Sequence, residues 1–217
     1  MARKTKQEAE QTRQLLIDTA ERLFWEKGVS RTSLADIATA AGVTRGAIYW
    51  HFANKIDLFN AMCDRMHSAF EHAAALLDPS DDISPARRLW EHSCNILLTV
   101  GSNPQVSRII GILSLRCEYV GEMANVFVLD RTWFSSILGR LENTLREAAE
   151  IGQVRDGVNL HCAAHSLHAT VCGLMDAWLI NPDDIDLAAD TPQLLTPYFA
   201  GIFRDQCWLE ATDAAGN

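Results

Sequence analysis

The sequence predicts an all-α protein, and three observations support this fold class. Apolar residues recur at intervals of three and four along most of the 217 residues, as on the buried face of a helix. Glycine and proline separate these segments, and no run alternates apolar and polar residues as a half-buried strand would. With 48% apolar and 22% charged residues, the chain has the composition of a folded protein with a substantial core.

The first helix is predicted from residue 5 to residue 27. Its apolar face includes Leu16, Ala20 and Phe24, spaced one turn apart. Gly28 follows directly and is the residue type that most often caps a helix C-terminus. The segment is therefore an amphipathic helix that packs its apolar face against other elements.

Two shorter helices follow the first one. Ser33 and Asp36 have the spacing of a capping box, which opens the second helix. Gly42 ends that helix, and Thr44 is placed to cap a third helix beginning at Arg45. A helix, a short turn with glycine and a second short helix form a helix-turn-helix, which is what this segment predicts.

The predicted third helix has the composition of a DNA-reading element. Ile48 and Phe52 are expected to point inward, which leaves the other side chains facing outward, with Trp50 at the boundary. Arg45 is the natural candidate for a guanine, because its guanidinium can make two hydrogen bonds to that base. The alternative is that the aromatic residues belong to the core and the basic ones to a solvated face.

The start of the fourth predicted helix completes the expected DNA surface. Asn54 and Asp57 are expected to cap this helix, with Lys55 exposed at its first turn. The full set of expected DNA contacts is Arg3, Lys4 and Lys6 in an N-terminal arm, with Ser33, Thr44, Arg45, Gly46, Tyr49, His51 and Lys55.

Charge is distributed unevenly along the chain. The net charge is -9, yet the first 55 residues carry nine Lys and Arg against six Asp and Glu. The remaining 162 residues carry ten Arg, no Lys and 22 acidic residues. This asymmetry predicts a DNA-binding domain over residues 1–53 and a domain with a different task over residues 54–217. Further helices are predicted at residues 54–77, 86–101, 104–117, 121–151, 160–180 and 191–208.

The helix-turn-helix segment RTSLADIATAAGVTRGAIYWHFANK, residues 31–55, closely resembles the DNA-binding segment of the TetR family of repressors. The resemblance implies that Ser33 and the outward-facing residues from Thr44 to Lys55 contact DNA. It also implies a homodimer on a near-palindromic operator. Three further segments, MARKTK at the start, RIIGILSLRCEYVGEM (108–123) and HATVCGLMDAWLINPDDIDL (168–187), are similar to the AcrR-like branch. That branch represses multidrug efflux operons, which implies release from DNA by lipophilic, drug-like molecules.

The same resemblance implies an effector pocket among the helices that start at residues 54, 86, 104, 121 and 160. Each residue taken alone suits an ordinary core equally well. The expected lining combines apolar residues with a few polar anchors: Met66, His67, Phe70, Ser93, Ile96, Ile110, Ser114, Phe134, Ile137, His168, Val171, Cys172 and Asp176.

Dimerisation in the family uses the last two helices, which form a four-helix bundle with those of the partner. In the helix over residues 160–180, one stripe consists of small residues that permit a close approach of another helix. The resemblance therefore implies a dimer surface formed by Ala163, Ser166, Ala169, Thr170, Gly173, Ala177, Leu194, Leu195, Tyr198, Ile202 and Phe203.

Another stripe of the helix over residues 160–180 contains His161, His165, His168, Cys172 and Asp176. From 161 to 172 the stripe spans about 16 Å at 1.5 Å per residue, too far for one metal ion. His165 with His168 and a ligand from another helix stays conceivable, but we expect no metal and no cofactor.

Other protein classes lack support in the sequence. There is no glycine-rich phosphate loop and no G-x-S-x-G motif, so an enzyme is not indicated. The six cysteines form no C-x-x-C pair and are expected to be free thiols. No stretch approaches a membrane span or a signal peptide, which predicts a cytoplasmic protein. Open alternatives are a regulator of a metabolic or signalling operon, a helical small-molecule carrier, or an enzyme.

Overall fold

The computed structural model describes residues 6–209, except for the side chains of residues 122 and 125–131. It confirms the all-α prediction: within that range there are helices and one isolated bridge, between Val154 and Phe203. A 3₁₀ helix, Gly121–Asn125, directly precedes the seventh α-helix. The α-helices are α1 (Lys6–Lys27), α2 (Leu34–Ala40), α3 (Arg45–His51), α4 (Lys55–Ala75), α5 (Pro85–Ser102), α6 (Pro104–Leu115), α7 (Val126–Glu150), α8 (Leu160–Ile180) and α9 (Leu187–Ile202).

The helices form two compact units. The first combines residues up to Ser68 with Gln105–Asp130, and the second combines Ala69–Pro104 with the residues from Arg131 onward. Among the described residues, no single helix is long and apolar enough to cross a membrane; α5 and α6 reach that length and hydropathy only when taken together.

The first unit begins with the three helices that the sequence predicted. Leu16, Ala20 and Phe24 of α1 have no exposed surface, as expected for its apolar face. The turn after α1 depends on Gly28, whose φ of +87° lies in the left-handed region that glycine adopts at low cost. The capping box at the start of α2 is present, because Ser33 Oγ accepts from the backbone N–H of Asp36 while Asp36 accepts from that of Ser33. Local signals therefore account for the bounds of these helices.

Helix α6 packs onto α1 inside the first unit. The ring of Trp25 lies over Gly111, where an added Cβ would come within 2.5 Å of the indole. The guanidinium of Arg116 also lies over this ring, with its Cζ 5.4 Å from the ring centroid. The backbone N–H of Val29 donates to the carbonyl of Arg116 over 3.0 Å. Gly111 therefore permits the close approach of α6 to the end of α1.

A buried carboxylate adds polar contacts to the same packing. Glu21 of α1 is 2% exposed and accepts hydrogen bonds from Arg108 at 3.0 Å and Gln105 at 3.2 Å, both from α6. Arg65 of α4 also pairs with Glu21, at 3.4 Å. The charge of Glu21 is thus balanced by two arginines from different helices.

The second unit is built around α5, which packs against α8 and α9. An aromatic cluster of Trp90, Phe199, Phe203 and Trp208 fills one end, with ring centroids of neighbouring pairs 5.0 to 6.5 Å apart. Arg88, which is 1% exposed, forms an ion pair with Glu147 of α7 and donates to the carbonyl of Asp78. This unit therefore has its own apolar core with a paired buried charge.

The predicted last helix, residues 191–208, is wrong at both ends. Helix α9 begins at Leu187, because the Asp186 side chain accepts from the N–H groups of the two residues after Leu187. The helix ends at Ile202, because the carbonyl of Ile202 accepts from the backbone N–H of Arg155. The backbone N–H of Arg204 likewise donates to the carbonyl of Gln153. These long-range bonds replace the helical ones at this point, and the segment over residues 204–209 forms turns.

Candidate DNA interface and effector domain

The first turn of α3 is exposed and held in place from behind. Thr44 caps the helix, with its Oγ1 accepting from the backbone N–H of Ala47 at 3.2 Å. Arg45 and Gly46 are exposed, whereas Ile48 is 0% and Phe52 1% exposed. The two buried residues anchor α3 on the core and so fix which face it presents. The buried positions of Ile48 and Phe52 and the exposure of Arg45, Gly46 and Tyr49 agree with the sequence prediction.

Beside α3 lies a groove of about 560 Å³. Ser33, Tyr49 and Lys55, three of the predicted DNA contacts, line it. The start of α4, capped by Asn54 as predicted, contributes the other wall, with Asn54 Oδ1 accepting from Asp57 N–H at 2.9 Å. The N-terminus of this 21-residue helix carries a partial positive charge, which suits a phosphate. The remaining lining is Ser30, Arg31, Thr32, Leu34, Asp36, Ala53 and Asn54.

Asp36 is the acidic residue of this groove. Hydrogen bonds from the Ser33 hydroxyl and backbone hold the pKa of Asp36 below its usual value. Its carboxylate oxygen lies 2.6 Å from Ser33 Oγ. Asp36 is thus ionised at neutral pH and occupied in capping α2, and the groove is also lined by Arg31 and by the N-terminus of α4.

The expected exposure of Lys55 is wrong. Lys55 is 8% exposed, and its Nζ donates to the carbonyl of Val29 at 3.1 Å. The ammonium turns back into the first unit because that carbonyl needs a donor at the turn between α1 and α2. What α4 offers at the groove is mainly its backbone terminus.

Sequence reasoning missed the exposure of Trp50. It was expected at the boundary of the core, but 69% of its surface is accessible. Its neighbour Tyr49 is 59% exposed, and the imidazole of His51 meets the indole edge-on at 4.5 Å. Two exposed aromatic rings on a seven-residue helix form a large apolar surface. Strict helical spacing from the buried Ile48 could have indicated this, since Trp50 lies about 200° around the helix from it.

The predicted N-terminal arm is only partly described. Lys6 is exposed and is the first residue of α1, so it belongs to a helix. Arg3 and Lys4 lie outside the described residues.

The thirteen expected effector contacts are divided between the two units. Four lie in the first: Met66 and Ile110 are buried, His67 is half-buried and Ser114 is exposed. Nine lie in the second, with His168 and Cys172 half-buried, Phe134 and Asp176 exposed, and Phe70, Ser93, Ile96, Ile137 and Val171 buried. Ser114 and Asp176 are thus the polar members of the set that lie at the surface, and the set as a whole stays a prediction.

Three of the expected dimer contacts need correction. Ala163, Leu195 and Phe203 are at most 4% exposed within their own chain, which leaves them no surface for a partner. They are covered because α8 and α9 pack together, with Tyr198 donating to the carbonyl of Ala163 at 2.8 Å, and because Phe203 stacks on Phe199. Thr170, Leu194, Tyr198 and Ile202 are half-buried, and Ser166, Ala169, Gly173 and Ala177 form an exposed small-residue stripe on α8.

The histidine stripe of α8 is split into two groups. His161 pairs with Glu142 at 3.0 Å and meets the ring of His165 at 4.6 Å. His168 lies with Cys172, at 3.4 Å between Nε2 and Sγ. Across the described part of the chain, no three His, Cys, Asp or Glu side chains are grouped to hold a metal ion.

Comparison with known families identifies the chain. The family model described as "Bacterial regulatory proteins, tetR family" matches residues 16–62, which include α2 and α3. A second family model, described as "MAATS-type transcriptional repressor, C-terminal region", matches residues 84–202, more than half of the chain. The chain belongs to the TetR family. The sequence-based prediction of a DNA-binding regulator from this family is thereby confirmed; the family consists of transcriptional regulators, not enzymes.

Relatives within the TetR family are regulators and efflux-pump repressors. The transcriptional regulator AcrR of Shigella flexneri is 40% identical over 192 residues, 86% of this chain and 87% of AcrR. The crystal structure of NalD, described as the secondary repressor of the MexAB-OprM multidrug efflux pump in Pseudomonas aeruginosa, superposes with a TM-score of 0.84. It is 34% identical and covers 92% of this chain and 100% of its own. A SmeT–triclosan complex is 30% identical, with a TM-score of 0.80, and covers 95% of this chain and 98% of its own.

Proposed function

We propose that this TetR-family regulator is a homodimeric repressor of a multidrug efflux operon, released from its operator by lipophilic small molecules. The observation that carries the proposal is the anchored first turn of α3, which presents Thr44, Arg45 and Gly46 on an exposed surface. Relatives that repress multidrug pumps support the choice of operon. In this proposal the protein acts in the cytoplasm, where residues 1–53 read DNA and residues 54–217 bind the effector and dimerise.

DNA recognition follows from the geometry of α3. With Ile48 and Phe52 buried, the first turn enters the major groove and brings the Arg45 guanidinium to a guanine edge. Gly46 has no side chain, and a Cβ there would meet nothing closer than Thr44 Oγ1 at 3.9 Å. The protein itself therefore does not require glycine at this position; close approach to the DNA backbone does. Thr44, His51 and the groove beside Tyr49 contact phosphates, which fix the register.

Effector release is a coupling between two binding events. Two α3 helices in a homodimer read half-sites about 34 to 36 Å apart, and an effector favours a state with different spacing. Helix α4 is suited to transmit this change, because it starts at the DNA groove and Arg65 ties it to Glu21 of α1. An effector that weakens operator affinity must bind the operator complex more weakly by the same factor.

Fluorescence anisotropy on DNA from upstream of the protein's own gene tests the proposal. We expect tight binding that weakens with salt, and a loss of about 1 to 3 kcal/mol in Arg45→Ala. Arg146→Ala is the matched control, because Arg146 is exposed on α7 and pairs with Glu142. If the protein binds the upstream DNA no more tightly than scrambled DNA, the proposed repressor function is refuted. Operator binding that is insensitive to every pump substrate tested would instead favour a metabolic or signalling operon.

A further inference from the structure

On α8, the thiol of Cys172 is paired with an imidazole. Its Sγ lies 3.4 Å from Nε2 of His168, one helical turn earlier. The Phe134 ring makes a T-shaped contact with that imidazole, with centroids 4.7 Å apart and an interplanar angle of 84°. This contact restricts rotation of the ring and keeps Nε2 directed at the sulfur. Both side chains are half-buried, so the pair keeps a surface that a small molecule can reach.

His92 and Arg140 of the second unit interact electrostatically with each other, and His92 also interacts with His168. Burial lowers the pKa of His92 to about 4, against the opposing hydrogen bond to the carbonyl of Ala73, so His92 is neutral at pH 7. Arg140 is a permanent cation on α7, and its guanidinium forms an ion pair with Asp78 at 2.7 Å. Asp176, one turn beyond Cys172, disfavours a second negative charge, but it is exposed and screened by solvent. The imidazole of His168 is a base within hydrogen-bond distance of the thiol.

The other cysteines have different surroundings. All six lie within the described residues, and none of them forms a disulfide. Cys63 is buried, and burial raises the pKa of Cys94 to about 11, which keeps it protonated and unreactive. Cys162 lies on the same helix as Cys172 and is exposed. It is the natural internal reference, since accessibility alone would make it the faster thiol.

We propose that Cys172 is a covalent attachment site for soft electrophiles of the α,β-unsaturated carbonyl class, with His168 as its base. His168 Nε2 accepts the thiol proton while Sγ attacks the β-carbon and forms a C–S bond. The π electrons of the C=C bond move onto the carbonyl as an enolate, and His168 returns its proton to the α-carbon. The addition is balanced without an oxidant or reductant.

Limited alkylation of the full-length protein with N-ethylmaleimide tests the site. Aliquots quenched over time, digested and analysed by mass spectrometry give a separate rate for each cysteine. We expect Cys172 to react about tenfold faster than Cys162 at pH 7, despite its smaller exposure. His168→Gln should lower the Cys172 rate about tenfold and leave the Cys162 rate unchanged. His165→Gln is the matched control, because it removes the neighbouring imidazole of the same helix.

Two results would overturn the site. One is a Cys172 rate equal to or below that of Cys162; the other is an equal effect of His168→Gln and His165→Gln. The proposed regulatory consequence, weaker operator binding after alkylation, rests on the proposed function. It is measured separately by anisotropy, comparing alkylated wild type with alkylated Cys172→Ser. If Cys172 is alkylated selectively but the untreated protein does not bind the operator, the proposed repressor function is contradicted while the proposed reactive thiol is supported.

Discussion

Replacing Glu21 with glutamine removes the negative charge that joins α1 to α4 and α6. Glu21 is 2% exposed and pairs with Arg108 at 3.0 Å and Arg65 at 3.4 Å. The amide retains the shape and one acceptor, but its NH₂ group faces a guanidinium. Two arginines then lose the buried charge that compensates them, and the folded state is destabilised.

The magnitude follows from the exposure of the partners. Breaking a fully buried ion pair costs about 3 to 5 kcal/mol. Here Arg108 is 45% exposed, and Arg65 keeps a 2.7 Å contact with Asp18, so both retain some solvation or pairing. We therefore expect a loss of about 2 kcal/mol, which for a chain of this size lowers Tm by about 4 to 8 °C.

Glu26→Gln provides a matched control on the same helix. Glu26 pairs with Arg22 at 3.3 Å, but the two side chains are 48% and 51% exposed. Such a pair contributes about 0.5 kcal/mol or less, so Tm should change by less than about 2 °C. Scanning calorimetry at one protein concentration makes the comparison, because subunit association shifts Tm. Equal changes in Tm for the two variants would refute the structural role of Glu21.

Three further predictions test packing, pH dependence and DNA contact. Gly111→Ala places a Cβ 2.5 Å from Trp25 and should lower the free energy of unfolding by about 1 to 3 kcal/mol in urea titrations. Gly139→Ala is the control, because no atom lies within 4 Å of the added Cβ, and it should raise that free energy by up to about 1 kcal/mol. A change of the same sign in both variants would contradict the packing of Trp25 on Gly111. Burial lowers the pKa of His92 to about 4, below its ordinary 6.5, so the unfolded chain binds a proton that the folded one excludes. The free energy of unfolding should fall by about 3 kcal/mol as pH drops from 6.5 to 4, and His92→Gln should reduce this pH dependence. An unchanged pH dependence in His92→Gln would refute the assignment of the effect to His92. Because Trp50 is 69% exposed, Trp50→Ala should preserve Tm yet weaken operator binding about tenfold, and unchanged anisotropy would exclude it as a contact.

The DNA-reading helices could be predicted from the sequence because their signals are local. The Ser33–Asp36 capping box, the Thr44 cap and the Asn54–Asp57 cap each join residues three positions apart, and all three are present. Such hydrogen bonds form within a single turn, so residue identity and spacing determine them.

Tertiary structure decided the features that depend on distant partners. The direction of Lys55 depends on the carbonyl of Val29, 26 positions earlier, and Glu21 is balanced by Arg65 and Arg108, 44 and 87 positions away. Helix α9 ends where its last carbonyl meets Arg155, a pairing that no helical period contains. Local propensity therefore determined which segments are helical and where α2 to α4 begin. Burial and long-range pairing, which depend on how the helices pack, decided which charged and aromatic side chains remain at the surface to act.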